Sequence, residues 1–122
     1  MSNRKGFTLV ELIVVIIIVG VLAAVATPMM TGNINRAKRS EAIAAMGAIR
    51  TAERMYFAEF GNYTGTIATF PGLLSRYFKA NDLNGNYYND GNYTITAANN
   101  IAASGGTGLA CSMNLITGAI TE

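Results

Sequence analysis

From Phe7 to Ala26 the chain is apolar or small at every position except Thr8 and Glu11. A run without a polar face predicts a helix that is apolar all round. Its 20 residues, at about 1.5 Å each, reach about 30 Å, the hydrocarbon thickness of a bilayer. The β-branched stretch Val14-Val15-Ile16-Ile17-Ile18-Val19 disfavours a helix in water. In lipid the backbone must bond to itself, so helix prevails. From Asn33 to Phe60 the pattern changes. Ile43, Met46, Ile49, Met55, Tyr56, Phe57 and Phe60 recur near helical spacing. Arg36, Lys38, Arg39, Glu41, Arg50, Glu53, Arg54 and Glu59 interrupt them. This predicts an amphipathic continuation, one face on a small domain and the other open to neighbours.

Gly61-Asn62 is a helix stop signal. Gly61-Asn62-Tyr63-Thr64 recurs as Gly91-Asn92-Tyr93-Thr94, with a partial copy at Gly85-Asn86-Tyr87, and reads as turn-to-strand punctuation. Pro71 to Phe78 reads as a short helix opening on Pro71. Alternation places Tyr93, Ile95 and Ala97 on one strand face, and Cys111, Met113 and Leu115 on another. Thr117-Gly118 then forms a tight turn into Ala119-Ile120. Asn99 to Gly108, small and polar, reads as a surface loop. A small antiparallel sheet packed on the second half of the long helix is the expected result.

Just after the apolar run, Pro28 removes a backbone donor and frees the Ala24 carbonyl, so a kink or local melting is expected there. Gly20 and Ala24 form a small-xxx-small pair that permits close helix approach. An ordinary tolerated glycine and proline is the alternative.

Composition narrows the function. Of 122 residues, 51% are hydrophobic and 13% charged. Net charge is +2, which argues against a general nucleic-acid binder. Histidine is absent, so no Ser-His-Asp or Cys-His arrangement and no histidine metal site is available. No phosphate-binding loop is present, and nothing points to an enzyme. The single Cys111 cannot close an internal disulfide and is expected as a buried thiol. No cofactor is expected. Asp82, Asn84, Asn86 and Asp90 form an oxygen-rich cluster that would suit calcium, but their spacing fits no EF-hand, and a solvated loop is the other reading. Arg36-Ala37-Lys38-Arg39 is the densest basic cluster, open to readings as a solvated face, an intersubunit contact, or a lipid or DNA contact.

Glu11 is the anomaly. A carboxylate within a membrane span costs roughly 2.5–3.5 kcal/mol on insertion scales, so a partner is expected. Lys5-Gly6-Phe7-Thr8-Leu9-Val10-Glu11 resembles the class III signal of type IV pilins and type II secretion pseudopilins. The resemblance implies cleavage between Gly6 and Phe7 by a prepilin peptidase and N-methylation of the new Phe7 amine. That amine is basic, with a reference pKa near about 8, and can neutralise Glu11. Within one chain the two are i,i+4 neighbours. In the family the pair is thought to form between adjacent subunits and to set axial register. Recognition by the peptidase or methylase is the alternative role for Glu11. Losing Met1–Gly6 removes Arg4 and Lys5 and leaves seven bases against seven acids.

The sequence therefore predicts an α+β, pilin-like fold. Its parts are a leader (1–6), a transmembrane or filament-core helix (7–26), an amphipathic continuation (27–62) and a small β-rich region (63–122). The resemblance implies a filament subunit stored in the inner membrane, amino terminus in the cytoplasm, then assembled outside it in the periplasm or beyond the cell. Gly6 and Phe7 would serve processing, Glu11 register, and Gly20 and Pro28 helix melting. Implied partners are other copies of the chain, the peptidase/methyltransferase, an inner-membrane platform with its ATPase, minor pilins or pseudopilins, and lipid. A major secretion pseudopilin, or a minor pilin binding DNA or surfaces, is the competing reading, as is a plain single-pass anchor.

Overall fold

A computed structural model describes residues 6–68, 70–96, 99–104 and 109–121. Helix α1 runs from Leu9 to Phe60. A four-stranded antiparallel sheet follows, in the order β1 (Tyr93–Thr96), β2 (Asn100–Ala103), β3 (Cys111–Asn114) and β4 (Ile120–Thr121). The chain divides into two units, Met1–Ile34 and Asn35–Glu122, so the boundary falls inside α1.

In the first unit no described side chain is buried. Leu9 to Val25 presents apolar side chains on every side, and the stretch is long and apolar enough to cross a membrane. The helical assignment continues through Pro28, so the local melting expected there is absent from the single chain. One proline deletes one hydrogen bond, and the turns on either side hold. The Thr27 and Thr31 hydroxyls also donate to the Ala23 and Thr27 carbonyls at 2.9 and 3.2 Å.

The second unit owns the core. Ala42, Met46, Ile49 and Ala52 line one face of α1 at helical spacing and are buried. Tyr93, Ile95, Ile101, Ala103, Cys111, Met113 and Leu115 complete the cluster from the sheet and its turn. Ile67, Phe70, Leu74 and Tyr88 close its rim. Among the ties from helix to chain, Arg50 donates to the Leu115 and Ile116 carbonyls at 2.8 Å, and Glu53 accepts from the Thr64 amide and hydroxyl.

Several expectations need correction. Met55, Phe57 and Phe60 are exposed, so the buried stripe is shorter than the sequence pattern. Four-residue strands rise only about 13 Å, whereas the stretch Asn35–Phe60 rises about 39 Å. Glu53, one of the charges that interrupt the apolar stripe, is fully buried. The Asn99–Gly108 loop contains β2, with Ile101 and Ala103 facing the core; 105–108 lie outside the described residues. The helix after Pro71 is a 3₁₀ turn, Gly72–Arg76. The first Gly-Asn-Tyr-Thr copy starts no strand, because Thr64 is held by Glu53; the second opens β1 at Tyr93.

Other expectations hold. Helix α1 stops before Gly61, whose φ of 77° suits glycine. Tyr93 and Ile95 share the inner face, while Ala97 is outside the described residues. Gly118, also at φ 77°, turns the chain from Asn114 back to Ala119.

Candidate processing and assembly site

Of the residues singled out by the sequence, Gly6, Phe7 and Glu11 lie together at the start of α1. Gly6, Phe7 and Thr8 are non-helical, and Phe7 is 85% exposed. The Gly6–Phe7 bond therefore lies outside regular secondary structure. A Cβ on Gly6 would meet nothing within 4 Å, so the fold itself does not require glycine there. The same holds for Gly20: its small size leaves room on the helix surface that this chain does not fill.

Thr8 is the N-cap of α1, and Glu11 is its third residue. The Thr8 amide donates to Glu11 Oε2 at 2.8 Å, and the Thr8 hydroxyl donates to the same oxygen at 2.9 Å. The Glu11 amide approaches Thr8 Oγ1 at 3.3 Å. This is a reciprocal capping box. It satisfies helix-end donors and places the carboxylate at the positive end of the helix dipole. The sequence reading paired Glu11 with the Phe7 amine and missed Thr8. The signal was present, since Thr8-Leu9-Val10-Glu11 has capping-box spacing. In the uncut chain the Phe7 nitrogen is a peptide nitrogen, so no cation exists there. Glu11 is the single charge in residues 6–35.

Pro28 lies within α1 and apart from this constellation. The oxygen-rich cluster is engaged with backbone. Asp90 accepts from the Asn81 and Leu83 amides, Asp82 from the Lys79 amide, and Asn84 Oδ1 from the Asp90 amide. The Asn86 amide donates to Glu41. Among the described residues no group of three or more His, Cys, Asp or Glu gathers as metal ligands. In the basic cluster, Lys38 is half-buried with its ammonium 5.7 Å from the Tyr87 ring centroid, and Arg36 and Arg39 are exposed.

Residues 1–27 match the family model of the prokaryotic N-terminal methylation motif. The chain is 42% identical over 78 residues to the type IV major pilin protein PilA of Myxococcus xanthus, covering 62% of this chain and 36% of that protein. It is 39% identical over 82 residues to a fimbrial protein of Neisseria meningitidis, covering 63% and 48%. Its amino-terminal part is similar to that of pilins and pseudopilins. Pseudopilins are represented equally well: type II secretion system core protein G of Klebsiella pneumoniae is 36% identical over 75 residues, covering 62% of this chain and 54% of that protein. The chain thus spans between about a third and about half the length of these three relatives. No solved structure matches it. The α+β architecture, a long apolar helix leading into a small antiparallel sheet, is pilin-like.

Proposed function

We propose that the chain is a structural subunit of a type IV pilus-like filament. It is held in the inner membrane by its apolar helix and polymerised after cleavage between Gly6 and Phe7. One observation carries the reading: an apolar helix whose described side chains from Leu9 to Val25 are all exposed bears a lone carboxylate at its first turn, within a methylation-type motif. Cleavage makes a cation at Phe7, and methylation keeps it basic. In a dry helical bundle that amine and a neighbour's Glu11 attract strongly and fix axial register. Lateral packing of residues 7–26 supplies the apolar contact. Gly20 offers space for a neighbouring helix, and Pro28, already short of one bond, is where α1 would open on assembly.

The test is Glu11→Ala in a cell that assembles the filament. Removing one partner of a desolvated pair costs about 3–5 kcal/mol, more than about a hundredfold in association. Membrane insertion should persist while sheared filaments disappear. Normal filaments from this variant would overturn the register role. The mass of the mature chain decides the processing step: it should begin at a methylated Phe7.

A secretion pseudopilus is the second reading, favoured by the likeness to core protein G. Deleting the gene separates the two: loss of surface fibres supports the pilus, and loss of exported protein supports the pseudopilus.

A further inference from the structure

Residues 79–92, between the Gly72–Arg76 turn and β1, have no strand ladder. Carboxylates hold their backbone instead. Lys79, Asn81, Leu83, Asn86, Tyr87 and Tyr88 all donate their amides to an acid. Two of the acids, Asp82 and Asp90, belong to the segment itself. The third, Glu41, reaches across from α1. Its Oε1 accepts from Tyr87 and Tyr88 at 2.9 and 2.8 Å, and its Oε2 accepts from Asn86 at 3.0 Å.

The local backbone is shaped for this grip. The Gly85 amide donates to the Tyr88 carbonyl at 2.8 Å, closing a turn whose next three amides converge on one point. A Cβ on Gly85 would collide with the Glu41 carboxylate, so glycine is required for the approach. Three converging amides form an anion cradle, filled here by a side chain 45 to 47 residues distant.

We propose that Glu41 is an acid-released latch: it holds residues 79–88 against α1 at neutral pH and lets their backbone loosen together in acid, while α1 and the sheet stay folded. This goes beyond the filament reading and applies to a single chain, so it stands or falls separately.

The groups around the latch set its sign. Desolvation raises the Glu41 carboxyl, but the amides of Tyr87, Tyr88 and Asn86 outweigh it and hold the group below the ordinary glutamate value. A group lowered in the folded state adds stability above its unfolded pKa and loses it as pH falls through the folded value. Lys38, one turn earlier on α1, stands over the Tyr87 ring. The Tyr88 and Tyr93 hydroxyls are pushed upward, first by burial, and so remain neutral in acid. Asp82 and Asp90 face the same segment, each accepting from its own backbone amides.

The experiment is an amide NMR titration of the full chain in detergent micelles from neutral pH into acid. The Asn86, Tyr87 and Tyr88 amides should shift together, with one midpoint below the ordinary glutamate range, while the Ile101 and Met113 amides stay still. In Glu41→Gln that transition should vanish, and the three amides should exchange at least tenfold faster at neutral pH. Gly85→Ala changes no charge but crowds the carboxylate, and it should move the midpoint upward. It decides the matter if Glu41→Gln fails to fold. The latch is overturned if the three wild-type amides do not titrate, if they move only with the sheet amides, or if their midpoint is the same in the variants.

Discussion

Glu53 shows how much one side chain can decide. It lies fully buried on α1, and its carboxylate takes both donors of Thr64. Replacing it with Ala leaves the Thr64 amide and hydroxyl without that acceptor, at a cost of about 1–3 kcal/mol. Glu53→Gln keeps one acceptor and should cost less; urea unfolding in micelles, followed by far-UV signal, orders the two. Tyr93 is the opposite case. Its buried hydroxyl has no hydrogen-bond partner among the described residues. Tyr93→Phe should therefore leave the unfolding midpoint unchanged or raise it, and a clear fall would reveal a partner. At Thr8, substitution by Ala removes the cap of α1, worth about 1 kcal/mol. The expected outcome is faster amide exchange at Leu9 to Leu12 with the sheet untouched. The Thr8–Glu11 relation was legible because it is local and has fixed spacing. Glu53 was not: an acid in an apolar stripe looks the same whether solvated or bonded to a residue on the chain's return.

At the level of elements, the sheet determines which part of α1 is core. Met46→Ala should cost about 2–5 kcal/mol, because Met46 is fully buried. Phe57→Ala should fall within about 0.5 kcal/mol of neutral in the single chain, because Phe57 is 44% exposed. Helical periodicity gave the two residues equal standing, since it reports a face and not how far the opposing layer extends. The helix stop at Gly61 and the turn at Gly118 were readable, because each needs a left-handed φ that glycine supplies. Strand β2 was unreadable. Asn100-Ile101-Ala102-Ala103 has one β-branched residue, and pairing on both sides makes it a strand.

For the whole molecule, residues 12–35 carry no charge, and Arg36 is the first after Glu11. Salt screens ionic attachment but leaves burial in lipid unaffected. Cell membranes washed in high salt should therefore retain the chain, and detergent should release it; release by salt alone would show that the apolar helix is not inserted. The N-terminal methylation motif was fully visible in the sequence, because it is a run of linear chain. The Glu41 cradle was invisible. Its donors are main-chain amides, identical in every residue except proline, and only the fold brings them to the helix.

That cradle bears on chemical ageing. Asn84-Gly85 is the dipeptide in which a backbone nitrogen attacks the preceding side-chain amide most readily, closing a succinimide and expelling ammonia, after which water opens the ring to a carboxylate. Here the Gly85 nitrogen is engaged with Tyr88, while Asn84 is tied to Asn81 and Asp90. Both reactants are held in hydrogen bonds by the same turn that Glu41 clasps. Stored protein should stay amidated at this position as long as the clasp holds, and Glu41→Gln should gain about one dalton there sooner than the parent.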